Sequence, residues 1–324
     1  MWKTFIRRFV ILLPQLIGVS LLIFILAEFM PGDALSGMFR DDPTMSAEQI
    51  QALRVQLGID GPWTTRYVRW ISDIAQGNFG QSLTHSRPVI ELIGERMGNT
   101  VLLSTLSVII VYSFALPLGI IAGKYKGRMP EKIISFYNFV QMAIPTVVFA
   151  LVLQWVFAIS LGVLPLRGSV DVNVVARGDV FEIITSRLQH ALLPALALSL
   201  LAGVGVIQFL ANEINDQKEL DYVTLARAKG VPLKDVYQKH IFRNSLLPIA
   251  ANFGPIVVGL FSGAVIIEQM FTFNGMGRLF LTSIMGHDWP VVNFLVIFYG
   301  TLTIVGFLLS DIALTIFDPR IRIK

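Results

Sequence analysis

The chain has 324 residues, 54% of them hydrophobic and 15% charged, with a mean hydropathy of +0.67. A soluble domain of this size carries more charge, so the bilayer is the first solvent to consider. The absence of cysteine excludes disulfide frameworks, thiolate metal sites and a cysteine nucleophile, and the formal charge of +4 need not mean nucleic acid, because basic residues at the cytoplasmic face of a membrane give the same balance.

The first apolar run, Phe9 to Phe29, holds 15 Leu, Ile, Val and Phe residues in 21 positions. At about −0.3 to −0.6 kcal/mol each they favour insertion by about 5 to 9 kcal/mol, enough to carry Pro14, Gln15 and Glu28. The basic stretch Trp2-Lys3-Thr4-Phe5-Ile6-Arg7-Arg8 resembles the start of a signal peptide. The run after it is too long and lacks a small-residue cleavage site, which makes it a retained first span.

An insertion of residues 30–98 follows. Ser46 with Gln49 three residues later has the form of a capping box and predicts a helix through Leu57 to Gly58. A second helix is predicted from Trp63 to Ile74. Five further apolar segments lie at 99–122, 133–160, 190–211, 246–267 and 290–317. Lipid offers the backbone no partners, so these are helices. The expected fold class is an all-α membrane protein of six transmembrane helices, with residues 1–324 forming one transmembrane domain. Pro145, Pro194 and Pro255 are expected to interrupt spans, as hinges or as static kinks.

Basic residues set the expected orientation. An N-terminus inside places 1–8, 123–132, 213–243 and 318–324 in the cytoplasm, where 56 residues hold 16 of the 26 Lys and Arg. The outside segments, 30–96, 161–188 and 269–289, hold the other 10 in 116 residues, and every lysine falls inside. Both termini are then cytoplasmic.

The 213–243 segment is too long for a tight connection and carries its own helix signals. One short helix is predicted from Leu220 to Lys229, stopping at Gly230 with Pro232 beyond. A second starts near Leu233 and places Leu233, Val236, Tyr237, His240 and Ile241 on one face. Small residues at Ala226, Ala228 and Gly230 let another backbone approach, Tyr222 and Leu225 offer apolar anchors, and Arg227 and Lys229 suit an acidic or polar rim. The same pattern also suits a solvated connector.

Catalytic signals are missing. Gly119-Ile-Ile-Ala-Gly123-Lys124-Tyr125 is one residue short of a phosphate loop and has Tyr where Ser or Thr must reach Mg²⁺. His85, His190, His240 and His287 are scattered, with no His-Glu-x-x-His or Gly-x-Ser-x-Gly arrangement. Asp311 is the acid expected to be most buried, more suited to pairing with a neighbouring helix than to a functional role, and Glu28 and Glu268 lie near the outer edge. Gln141, Gln154, Gln208 and Asn293 suit either a polar pathway or bonds between helices.

Thr224-Leu225-Ala226-Arg227-Ala228-Lys229-Gly230 resembles the Glu-Ala-Ala-x-x-x-Gly coupling motif of ABC importer permeases, although its first two residues depart from it. Leu247-Pro248 also lies five residues later than in the sugar importers. Both departures match the oligopeptide and dipeptide branch, whose loop is similar to Asp221-Tyr222-Val223 followed by Ala226 to Gly230. The likeness includes Pro31-Gly32-Asp33, Leu57-Gly58-Ile59-Asp60, Gly80-Gln81-Ser82, Asn99-Thr100, Ile144-Pro145 and His190 with Leu193-Pro194-Ala195. It continues through Gly263-Ala264-Val265, Glu268, Phe271, Gly275-Met276-Gly277-Arg278 and Asp288-Trp289-Pro290-Val291-Val292, and ends at Asp318-Pro319-Arg320-Ile321-Arg322.

The short N-terminus and this ending resemble the first of the two permeases in such transporters. The resemblance implies a non-enzymatic subunit of a bacterial inner membrane importer. It would pair with a second, related permease, rest on two ATPase subunits that bind ATP and Mg²⁺, and receive peptide from an external binding protein. Asp221, Tyr222, Thr224, Leu225, Ala226, Arg227, Ala228, Lys229 and Gly230 would contact an ATPase and transmit its closure to the spans. Nickel complexes and glutathione are alternative cargoes. A stand-alone secondary transporter would instead predict inverted repeats and midplane charge, and neither is visible. An intramembrane enzyme lacks a catalytic constellation, and a scaffold leaves the loop unexplained.

Overall fold

A computed structural model describes residues 2–29, 48, 52, 55 and 61–317. Among these residues the secondary structure is helical, with one isolated bridge between Gln81 and Pro88. The expected capping box at Ser46, the Pro31 and Leu57 motifs and the Asp318 ending lie outside the described residues, as does the side chain of Glu28.

The helices are α1 (Trp2–Phe29), α2 (Trp63–Ala75), α3 (Val89–Lys124), α4 (Met129–Ala143), α5 (Thr146–Ser160), α6 (Val172–Arg177), α7 (Val180–Lys218), α8 (Asp221–Ala228), α9 (Leu233–Met270), α10 (Met276–Met285) and α11 (Trp289–Phe317). Four of them, α3, α7, α9 and α11, are long and apolar enough to cross a bilayer, and the bent pair α4–α5 makes up to five. Within α1 the described apolar stretch is Leu13–Leu26.

The expected 133–160 span is not one straight helix: α4 and α5 meet at 103°. The ring of Pro145 drives Ile144 out of the helical region, to φ −97° and ψ 120°, and Pro145 itself is extended at ψ 139°. Two successive extended residues end one helix and start another. Pro194 and Pro255 behave differently from expectation, since α7 and α9 run through them unbroken. A single missing N–H is tolerated when neighbouring helices hold the helix in place.

The chain forms two compact units. The first comprises Thr100–Phe273 and the residues from Val305 onward. Its middle is α7, packed against α4, α5, α6 and α9. One apolar cluster there contains Val111, Ile207, Leu210, Ile214, Val223, Val236 and Ile241. A second contains Leu103, Leu153, Leu193, Leu260, Ile267, Phe271 and Phe273. Gly119 and Gly123 let α3 approach α7 closely: a Cβ on Gly123 would lie 2.8 Å from Ile214 Cβ, and one on Gly119 3.0 Å from Leu210 Cβ. The near-phosphate-loop spacing is therefore a helix crossing.

The second unit comprises Trp2–Asn99 and Asn274–Ile304. Here α2 leans on α1 through Tyr67 and Trp70 against Phe24, with centroids 5.4 and 5.9 Å away, and through a 2.9 Å bond between the Tyr67 and Ser20 hydroxyls. Val89, Leu92, Ile93, Met276, Leu279, Val291 and Leu295 form its core. Asp288 is fully buried and accepts from Ser82 Oγ (2.5 Å), Leu83 N–H (3.0 Å) and Thr84 N–H (3.3 Å), which joins two of the motif segments. Arg87 pairs with Glu95 at 2.7 Å and Glu91 at 3.5 Å, and the Glu95 hydrogen bond holds its guanidinium above the ordinary value.

The acids do not fall as expected. Glu268 and Asp288 are fully buried, whereas Asp311 is half-buried. Glu268 accepts from Thr100 Oγ1 at 2.7 Å inside the first unit.

Candidate functional site

The 213–243 loop is built on α8. Leu220, extended at ψ 148°, starts the helix, and Asp221 in the first turn opposes the positive end of the helix dipole. The C-terminal end is a Schellman motif: Gly230 N–H donates to Arg227 O at 2.9 Å, and Val231 N–H to Ala226 O at 3.2 Å. Gly230 holds φ +76° with open space around it, so the backbone angle alone demands glycine. Pro232 follows and starts the next helix.

This short helix has two faces. Val223, fully buried, and Ala226 pack into the cluster of Leu210, Ile214, Val236 and Ile241. Asp221, Thr224, Leu225 and Ala228, at i, i+3, i+4 and i+7, are exposed, with Arg227, Lys229 and Gly230 beside them. Two expectations change. Ala226, 9% exposed, packs into the hydrophobic core of its own subunit. Tyr222 is half-buried and donates to Gln217 Oε1 at 2.6 Å, so it anchors the loop inward.

The second loop helix also departs from its expected register. Val236–Ile241 is a wide turn with one extra residue, so Val236 and Ile241, five apart, both turn inward and are fully buried. Leu233, 62% exposed, and His240 turn outward. The 3.6-residue period that grouped all five residues does not survive the insertion.

Sequence reasoning missed the polar residues at the end of α7. Lys218 Nζ donates to Gly123 O, to Lys124 O at 3.3 Å and to Asn215 Oδ1 at 3.2 Å. It also lies 5.8 Å from the ring centroid of Tyr237. Gln217, which accepts from Tyr222, donates to Glu213 Oε1 at 2.9 Å. A lysine in the last turn of a helix was the available signal.

The other polar residues do not converge. Gln154 donates to Leu166 O at 3.3 Å, and Gln208 is exposed. Gln141 and Asn293 are buried with carbonyl oxygens that have no partner. His190 Nδ1–H donates to Ser186 O at 2.7 Å, and His85 lies beside Ser82. Among the described residues no three His, Asp or Glu side chains come together as metal ligands do.

This short helix is clamped at both ends, with a buried face toward its own helices and a bare face outward. The family model for the binding-protein-dependent transport system inner membrane component matches residues 115–323, and the model for the N-terminal part of such membrane components matches residues 1–104. The chain belongs to this family. It is thus a permease subunit of an ABC importer in the inner membrane, and not itself an enzyme. It is 33% identical to the oligopeptide transport system permease protein AppB of Bacillus subtilis over 98% of both chains. The dipeptide transport system permease protein DppB of Lactococcus lactis is 29% identical over 100% of both chains. The glutathione transport system permease protein GsiC of Escherichia coli K12 is 30% identical over 98% of both.

Proposed function

We propose that this permease forms, with a second related permease, the pathway of an ATP-driven importer for oligopeptides or dipeptides. The complex contains two ATPase subunits, which hold the ATP and Mg²⁺, and an extracytoplasmic binding protein that delivers substrate. Within this reading the chain crosses the membrane six times, α1 and the bent α4–α5 pair included, with both termini and the 213–243 loop in the cytoplasm. The 16 basic residues on that side support this orientation. Full-length similarity to peptide permeases supports the substrate class, and similarity to a glutathione permease at 30% identity keeps that small peptide as a second cargo.

The observation that carries the coupling role is the bare outer face of α8, Thr224, Leu225 and Ala228, on a helix whose other face is fixed in its own subunit. ATPase closure pushes on this face, and α8 passes the movement to α3, α7 and α9 as alternating access. The test is ATP-dependent uptake of labelled di- to pentapeptides into vesicles holding the whole reconstituted complex. Ala228→Asp and Leu225→Asp place an unpaired charge in the contact and leave the core intact, so uptake falls at least about tenfold while the subunit still inserts and pairs. Uptake equal to wild type removes α8 from the ATPase contact, and transport without any ATPase establishes a secondary transporter.

A further inference from the structure

We infer that Lys218 is the positioning residue that makes the ends of α3, α7 and α9 move as one body with the coupling helix. The inference rests on the coupling role proposed for α8 and identifies the device that transmits it.

The last carbonyls of α3 have no partners inside the helix and carry its negative dipole end. Gly123 and Lys124 supply two of them, and the ammonium of Lys218, from the last turn of α7, closes both. Its third donor goes to Asn215 on its own helix. Gly123 is what brings the two helix ends within reach, since any side chain there would collide with Ile214. The same ammonium lies 5.8 Å from the Tyr237 centroid, within the range of a cation–π contact, and Tyr237 belongs to the wide turn that opens α9. One charge therefore touches three helix ends. The α8 helix sits among them, its Val223 and Ala226 in a cluster with Ile214, Val236 and Ile241, and its Tyr222 bonded to Gln217 beside Lys218.

Apolar packing alone resists compression but permits sliding. Directional bonds to fixed carbonyls resist sliding, and that is what a lever needs. A push on α8 then displaces three spans instead of remodelling the loop.

The experiment compares wild type, Lys218→Met and Lys218→Arg in the complete reconstituted complex. It measures labelled peptide taken up per ATP hydrolysed, per assembled complex. Methionine keeps the length and apolar stem and removes the charge. The expected ratio falls about fivefold or more in Lys218→Met, the lower range of coupling between sites, and returns to within about twofold of wild type in Lys218→Arg. An unchanged ratio in Lys218→Met, or an arginine variant as impaired as the methionine one, overturns the inference. If Lys218→Met does not assemble, Tyr237→Leu removes only the ring beside the ammonium. It lowers the same ratio about twofold, and an unchanged ratio there overturns the inference equally. Failure of the coupling reading itself is distinguishable, because then Ala228→Asp and Leu225→Asp take up peptide as wild type does.

Discussion

Gly254→Ala is a sharp test of the packing in the first unit. Gly254 on α9 faces Gly306 on α11, and a Cβ at Gly254 would lie 1.6 Å from Gly306 O, 2.3 Å from its carbonyl carbon and 2.7 Å from Ser310 Oγ. Non-bonded carbon contacts rarely fall under about 3 Å, so the two helices must part locally by roughly 1.4 Å, and each atom pair across the crossing then forfeits about half or more of its dispersion well. Overpacking of this kind costs about 1 to 3 kcal/mol. The 2.9 Å bond from Gly254 N–H to Ser310 Oγ would break as well, at about 1 kcal/mol. Alanine's better helix propensity returns about 1 kcal/mol, leaving a net loss of about 1 to 3 kcal/mol. Gly259 on the same helix has nothing within 4 Å of where its Cβ would be, so Gly259→Ala is the control and gains up to about 1 kcal/mol. The assay is the apparent midpoint of thermal unfolding of the purified complex in one detergent, followed by tryptophan fluorescence. A Gly254→Ala complex as stable as wild type, or one that tracks Gly259→Ala, refutes the close crossing.

Two further substitutions probe the loop and the second unit. Gly230→Ala forces a Cβ into the left-handed region and costs about 1 to 2 kcal/mol, seen as faster protease cleavage of residues 219–232, while Gly230→Asn does less damage; equal cleavage of the Gly230→Ala and wild-type loops refutes the cap. Asp288→Ala strands the Ser82 hydroxyl and the Leu83 and Thr84 N–H groups and costs about 3 kcal/mol of thermal stability, and Asp288→Asn, which keeps one acceptor oxygen, costs less; identical losses in the two variants refute that bonding role.

What the sequence made legible follows from how local the governing force is. The end of α8 at Gly230, with Pro232 beyond, depends on one backbone angle and one ring, and the structure places both as expected. The helix at Trp63 likewise follows from its own pattern, since its face of Tyr67 and Trp70 meets Phe24. The 103° bend was only half legible: Pro145 was visible, but Pro194 has the same chemistry and leaves α7 unbroken. Tertiary support decides between those outcomes, and no single proline encodes it. The buried acids were misjudged for a related reason. Depth along a span places Asp311 inside the bilayer but says nothing about which side of the helix meets protein, and Asp288, at a helix boundary, is the one that loop backbone encloses.

The wide turn at Val236–Ile241 shows how such a miss reaches function. The extra residue lets Val236 and Ile241 both face the core, while Leu233, in the turn before it, is 62% exposed, as are Leu225 at 56% and Leu220 at 45%. Covering these three partly exposed leucines would release about 2 to 5 kcal/mol. Association of two proteins costs about 4 kcal/mol at least in lost rigid-body freedom, and often far more. The exposed apolar surface of this loop is therefore too small to recruit an ATPase by itself. In the complex proposed above it suffices, because an ATPase already held by a second permease and by its partner ATPase makes this second contact intramolecular. In the role proposed for α8, a loop of this size transmits force inside an assembled complex and contributes little to assembling it, so the rigidity supplied by the Gly230 cap, the Val223 core and the Lys218 bonds would matter more than the area α8 exposes.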